Sequence, residues 1–193
     1  GKQMTFGETL EISELDNILF NEIKKIRNTD LPVLELRKEL YQVANQHAAD
    51  FSNHVIQDIR DNEIERKKKF SNTRRFFEIS FVSQSTSQIP NSTQNEELTE
   101  SAINSILEPA LHILRNQFAD QIRMAQINSI GPVALPLKSN KVVIVILGCF
   151  YPPIIPLKTF KRTFRQYSSS TVSSHDFNFF LELCNKFRSM IHY

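Results

Sequence analysis

Ten successive residues without a charge, Val142 to Tyr151 (VVIVILGCFY), closed by Pro152, Pro153 and Pro156, constrain this chain more than any other stretch. A helix that crosses a membrane needs about twenty such residues, so the run is too short to span. It reads instead as a strand, and because no alternate position is polar, it has no face to give to water and needs cover on both sides. No secretory leader or membrane span is read, and the expectation is an intracellular protein of the nucleus or cytoplasm.

Around that strand the pattern predicts a mostly helical α+β protein. In residues 10–26, Leu15, Ile18, Leu19, Ile23 and Ile26 recur at helical steps. Asn28 to Pro32 supply cap and turn chemistry, and a second helical pattern runs from Val33 toward Lys69. A single helix of that length would extend on the order of 50 Å and is expected to pair with the first as an N-terminal helical hairpin. Phe77, Ile79 and Phe81 then alternate with other residues in the period of a strand, within residues 74–82.

Ser83 to Glu97 is polar and reads as a flexible loop or linker. It divides a helical hairpin plus strand (1–82) from a second portion (98–193), either a separate domain or part of one composite domain with the first. That second portion opens on a helical run, Leu98 to Ile127, which Pro109 is expected to kink or divide. Residues 128–140, with Gly131, Pro132 and Pro136, read as an irregular link into the apolar strand. A basic amphipathic helix over 156–167 follows. A terminal helix is expected last, with Phe177, Phe180, Leu181, Cys184, Phe187 and Ile191 on its stripe.

Several chemistries lack their residues. The four glycines, Gly1, Gly7, Gly131 and Gly148, form none of the spaced sets that wrap a phosphate. Cys149 and Cys184 make no CxxC motif; each sits in an apolar run that disfavours a thiolate, and a disulfide between them stays open as an alternative. The histidines at 47, 54, 112, 175 and 192 form no zinc-ligand pattern. Paired acids such as Asp61 and Glu65 lie in polar surroundings that would not raise a pKa toward a general acid's. The expectation is no enzyme, no cofactor and no metal.

Charge is more informative. The net charge is only +2, yet residues 141–193 carry 7 basic and 2 acidic side chains. In 156–167 a helical wheel places Leu157, Phe160, Phe164 and Tyr167 on one side and Lys158, Lys161, Arg162 and Arg165 on the other. A second cluster, Arg66, Lys67, Lys68, Lys69, Arg74 and Arg75, contains no acid. Such blocks serve as footprints for nucleic acid, acidic protein or anionic lipid heads, or are simply solvated faces.

Tyr151 to Pro156 (YPPIIP) resembles the Tyr-Pro-x-x-x-Pro turn of the RWD and ubiquitin-conjugating folds over about fifteen residues, without a preceding three-strand meander, a His-Pro-Asn element or a placed active-site cysteine. The resemblance implies a non-catalytic interaction domain. Together these observations predict a binding or assembly subunit. It would hold a protein partner or a second copy through its helices, and an anionic partner, DNA or RNA foremost, through the ten cations named. The alternative is a purely structural protein interaction module.

Overall fold

In the computed structural model, residues 2–5, 8–28, 30–85, 99–152, 155–156 and 191–192 are described. The elements in chain order are β1 (Lys2–Thr5), β2 (Glu8–Glu11), α1 (Glu14–Ile26), β3 (Glu35–Leu36), α2 (Lys38–Ser52), α3 (Glu63–Lys69), β4 (Arg74–Gln84), α4 (Glu100–Gln117), α5 (Ala119–Ile122), β5 (Ser129–Leu137), β6 (Lys141–Phe150), β7 (Ile155–Pro156) and β8 (Ile191–His192). Gly1–Tyr151 form one compact unit and Pro152–Tyr193 another. The class is α+β and mostly helical, as the sequence predicts.

The apolar run is β6, an inner strand of a four-stranded sheet ordered β3-β5-β6-β4. Side chains alternate across a strand, and Val142, Ile144 and Ile146 join one core while Val143, Val145, Leu147 and Cys149 join another. The first core is covered by α1 and α4, through Leu19, Ile23, Leu107 and Leu114 among others. The second is covered by α2, through Leu40, Ala44 and Ala48. The two N-terminal helices therefore pack with the mixed sheet on opposite faces, rather than against each other. Their apolar stripes, which the sequence offered to a partner protein, are buried against the sheet.

Two strand glycines permit this closeness. A Cβ on Gly131 would overlap the backbone of Leu40 and Tyr41, where the start of α2 lies on β5, and one on Gly148 would overlap the ring of its cross-strand neighbour Phe77.

Residues 128–140, read as an irregular link, hold β5 and the turn into β6. The prolines are compatible with a strand because of where their missing donors would point. Arg37 donates its N–H to the Ile130 carbonyl on the side away from β6, and strand alternation puts positions 132, 134 and 136 on that same side. β3 pairs only with Ser129 and Ile130. Beyond it, Pro132 and Pro136 have no N–H to leave unpaired at the open edge, and the Ala134 N–H between them donates to Asp16 Oδ1 at 2.7 Å.

Asp16 also accepts the Tyr41 hydroxyl on Oδ2 at 2.5 Å, so one carboxylate joins α1, β5 and α2. Burial raises its pKa from the ordinary carboxylate value while these bonds oppose the rise. At the other end of α1, Arg27 donates to the carbonyls of Pro32, Ile122, Met124 and Ile127. Arg123 in turn donates to the carbonyl of Ile26, so α1 and α5 cap each other's C-termini.

Helix boundaries depart from the periodic pattern in three places. The predicted long helix of 33–69 stops at Ser52 because the next residues capture their own backbone. Asp61 accepts the N–H groups of Gln57 and Asp58, Asp58 accepts that of Arg60, and His54 and Asn62 take left-handed φ of 58° and 62°. Pro109 does not divide α4, which is continuous to Gln117, and the break comes at Phe118. The Ser105 carbonyl that Pro109 cannot serve accepts the Ser85 hydroxyl at a long 3.4 Å. Ile191, expected on a helical stripe, lies in β8, where it pairs in parallel with Ile155, and Pro156 lies in β7.

The remainder of the two C-terminal helix expectations, residues 86–97 of the expected linker and Leu98 of the next helical run fall outside the described residues. β4 from the first predicted portion and β6 from the second lie side by side in one sheet. With α4 and α5 between β4 and β5, the sheet has no continuous three-strand meander of the kind the RWD resemblance would need.

If Asp16 holds the layers together, Tyr41→Phe should cost about 1–3 kcal/mol, the worth of a buried hydrogen bond left half made. Urea unfolding should show a lower midpoint at an unchanged m value; an unaltered midpoint would assign the bond no weight.

Candidate functional site

Helical geometry splits the residues of α3 between two surroundings. Asn62, Glu65, Arg66 and Lys69 recur at three- and four-residue steps and face α2 across a cleft of about 650 Å³, whose other wall includes Glu39, Gln46, His47 and Asp50. Ile64, Lys67 and Lys68 fall on the side turned from α2, and all three are exposed. The basic run that looks uniform in sequence is thus divided by its own helix.

Arg66 leaves the anion-binding set that the sequence predicts. It is only 5% exposed and forks onto Glu78 of β4, its Nε bonding Oε1 and its Nη2 donating to Oε2 at 2.8 Å. Its Nη1 donates to the Asp61 carbonyl at 2.5 Å. A guanidinium so buried and already paired with a carboxylate is not presented to a phosphate. The alternation of Phe77, Ile79 and Phe81 with Glu78 and Ser80 gave no sign of this pair, because it places Glu78 on the face opposite those apolar residues.

The other five cations of this cluster, Lys67, Lys68, Lys69, Arg74 and Arg75, are all exposed. They flank a stiff turn. Phe70 and Phe76 stack with ring centroids 5.3 Å apart, and Thr73 donates both its N–H and its hydroxyl to the Phe70 carbonyl. Arg75 takes a left-handed φ of 56° where the β4–β6 register shifts between Arg74 and Phe77, a bulge that re-aims its side chain. Lys158, Lys161, Arg162 and Arg165 lie outside the described residues.

His47 closes the bottom of the cleft. It is buried, and its Nε2 lies 2.5 Å from the Ile59 carbonyl, an acceptor, which places the ring proton on that nitrogen. Burial, then the nearby Arg66 charge, lower its pKa, against the weaker opposing pull of Glu78, the Ile59 bond and Asp50. Among the described residues no group of three His, Cys, Asp or Glu side chains could hold a metal ion. Cys149 is a free buried thiol, its pKa pushed up to about 11 by burial. No described helix is long and apolar enough to cross a membrane.

Two measurements test these assignments. Arg66→Ala strands a buried carboxylate and should cost about 3–5 kcal/mol, whereas Lys68→Ala should stay within about 0.5 kcal/mol; similar small losses for both would return Arg66 to the exposed set. A histidine with a lowered folded pKa is protonated first in the unfolded chain, so stability falls as pH drops through the unfolded value near 6.5. His47→Gln can keep a donor on the Ile59 carbonyl without that titration. Its thermal midpoint should therefore fall less than the parent's between about pH 7 and about pH 5.

No family model matches this sequence, and no curated protein does. Among solved structures, an outer surface protein from Borrelia burgdorferi is similar at 16% identity and a TM-score of 0.49, over 74% of this chain and 97% of that one. Schistosoma mansoni venom allergen-like protein 4 is similar at 15% identity and a TM-score of 0.39, over 74% and 92%. Hookworm platelet inhibitor is similar at 11% identity and a TM-score of 0.33, over 75% and 74%. Likeness of this degree assigns no residue of this chain a role.

Proposed function

We propose that this chain is a non-catalytic binding module that engages an anionic partner through the corner built by α3 and the start of β4. The observation that carries the reading is five exposed cations, Lys67, Lys68, Lys69, Arg74 and Arg75, set on both sides of one stiff turn. Among the described residues none of the five has a carboxylate within ion-pair distance. Their field is not cancelled locally and is available to an incoming anion. The non-catalytic part of the reading is supported by the cleft beside them: the His47 Nε2 is engaged with a backbone carbonyl, and Arg66 and Glu78 neutralise each other.

Binding to a panel of anionic partners tests this: short DNA, short RNA and vesicles containing phosphatidylserine. At least one member should bind, more weakly at about 200 mM salt than at about 50 mM. The double variant Lys67→Glu, Lys68→Glu should weaken that binding by about tenfold or more, since each surface cation is worth roughly a factor of five near an anionic surface. Folding of the variant is checked by circular dichroism. If no member binds at the lower salt, the five cations form an ordinary solvated surface and the reading is wrong.

A further inference from the structure

One side chain in this corner is out of keeping with its neighbours. Val33, Val55 and Ile64 are the exposed large aliphatic residues among those described, at 78%, 69% and 68% exposure. Of these, Ile64 alone adjoins the cationic cluster, between Glu63 and Glu65 in sequence and one helical turn before Lys67 and Lys68 on the same side of α3. A single exposed aliphatic residue is ordinary; one beside two cations of a candidate anion site bears on what that anion belongs to.

We infer that the anionic partner is the surface of an anionic phospholipid bilayer, the cations of the corner meeting the headgroups while Ile64 enters the apolar layer beneath them. The inference rests on the binding reading above and names its partner. A bilayer offers negative charge at its surface and hydrocarbon a few ångströms below, the two chemistries that Lys67 and Lys68 with Ile64 present together on one helical side.

Nucleic acid suits the same corner less well. Single strands are gripped by aromatic platforms, and the two aromatics here, Phe70 and Phe76, are stacked on each other with Phe70 buried. A branched aliphatic chain among phosphate contacts would gain nothing from a hydrated duplex backbone. The acids of α3 are arranged compatibly: Glu65 is turned into the cleft, which leaves Glu63 as the acid one turn before Lys67. At seven residues, α3 is short enough to lie along a surface.

The test is co-sedimentation of the full chain with two kinds of vesicle, pure phosphatidylcholine and phosphatidylcholine part-replaced by phosphatidylserine, in parallel with anisotropy on short DNA and RNA. The expected result is binding to the phosphatidylserine vesicles that weakens with salt. Ile64→Ser should lower vesicle partition by about tenfold or more, from the aliphatic area it removes. It should leave any nucleic-acid binding unchanged. Because Ile64 is exposed, the variant should fold, and its circular dichroism should match the parent's.

Three results would overturn the inference. If DNA or RNA binds and the vesicles do not, the partner is a nucleic acid and the binding reading stands. If vesicles bind but Ile64→Ser and Lys67→Glu with Lys68→Glu leave partition unchanged, the bilayer is met elsewhere on the chain. If nothing binds, both readings fail.

Discussion

The carboxylate of Asp16 sits where three layers of the larger unit meet, and their registration depends on it. Its two oxygens are divided between a strand amide and a hydroxyl from the opposite layer, Ala134 and Tyr41. The hydrophobic effect that drives both cores together is non-directional; it would be served about equally by a helix shifted along the sheet. Two hydrogen bonds with fixed partners are not indifferent to such a shift. The overlap that any Cβ at position 131 would make with the start of α2 acts in the same sense, since Leu40 and Tyr41 lie beside that glycine. Apolar burial therefore holds the layers, and a polar pin with a glycine contact selects where they rest.

The same division between pattern and placement decides what could be read from the residues alone. Elements whose signal is their own periodicity were legible: the stripes of α1 and α4, the alternation in β4 and the doubly covered β6 all stand as expected. What was not legible depends on partners far along the chain. Pro132 and Pro136 look like breakers until the short β3 leaves their side of β5 without a neighbour. Pro109 looks like a break until the carbonyl it cannot serve meets a hydroxyl from the end of β4. The turns after α2 were nearer to hand, since Asp58 and Asp61 are residues that capture local amides, yet the apolar spacing through Val55 and Ile59 outweighed them.

At the candidate site the charge count was legible and its geometry was not. Four consecutive cations on a helix cannot share one environment, because successive residues turn by about 100°. Arg66 faces inward and becomes structural through Glu78; Lys69 faces the cleft; Lys67 and Lys68 face out with Ile64. Reading the cluster as a single block therefore overstated its contact surface and overlooked the aliphatic residue beside it. The buried ion pair also explains how so short a helix keeps its place. Arg66 fixes α3 to β4 through Glu78 and to the preceding turn through the Asp61 carbonyl, which lends the exposed lysines a steady base.

The edge of β5 has a meaning for how copies of this chain behave in a crowded solution. A bare strand edge invites a neighbour to add its own strand, the first step toward runaway polymerisation. An incoming strand would meet no hydrogen at 132 or 136, and at 134 an amide already committed to Asp16. Three successive donors are thereby withdrawn from the edge. Losing the Asp16 side chain would expose only one isolated donor, flanked by two prolines, which is too little for a ladder to start. Solubility at this edge is consequently insensitive to loss of the Asp16 side chain.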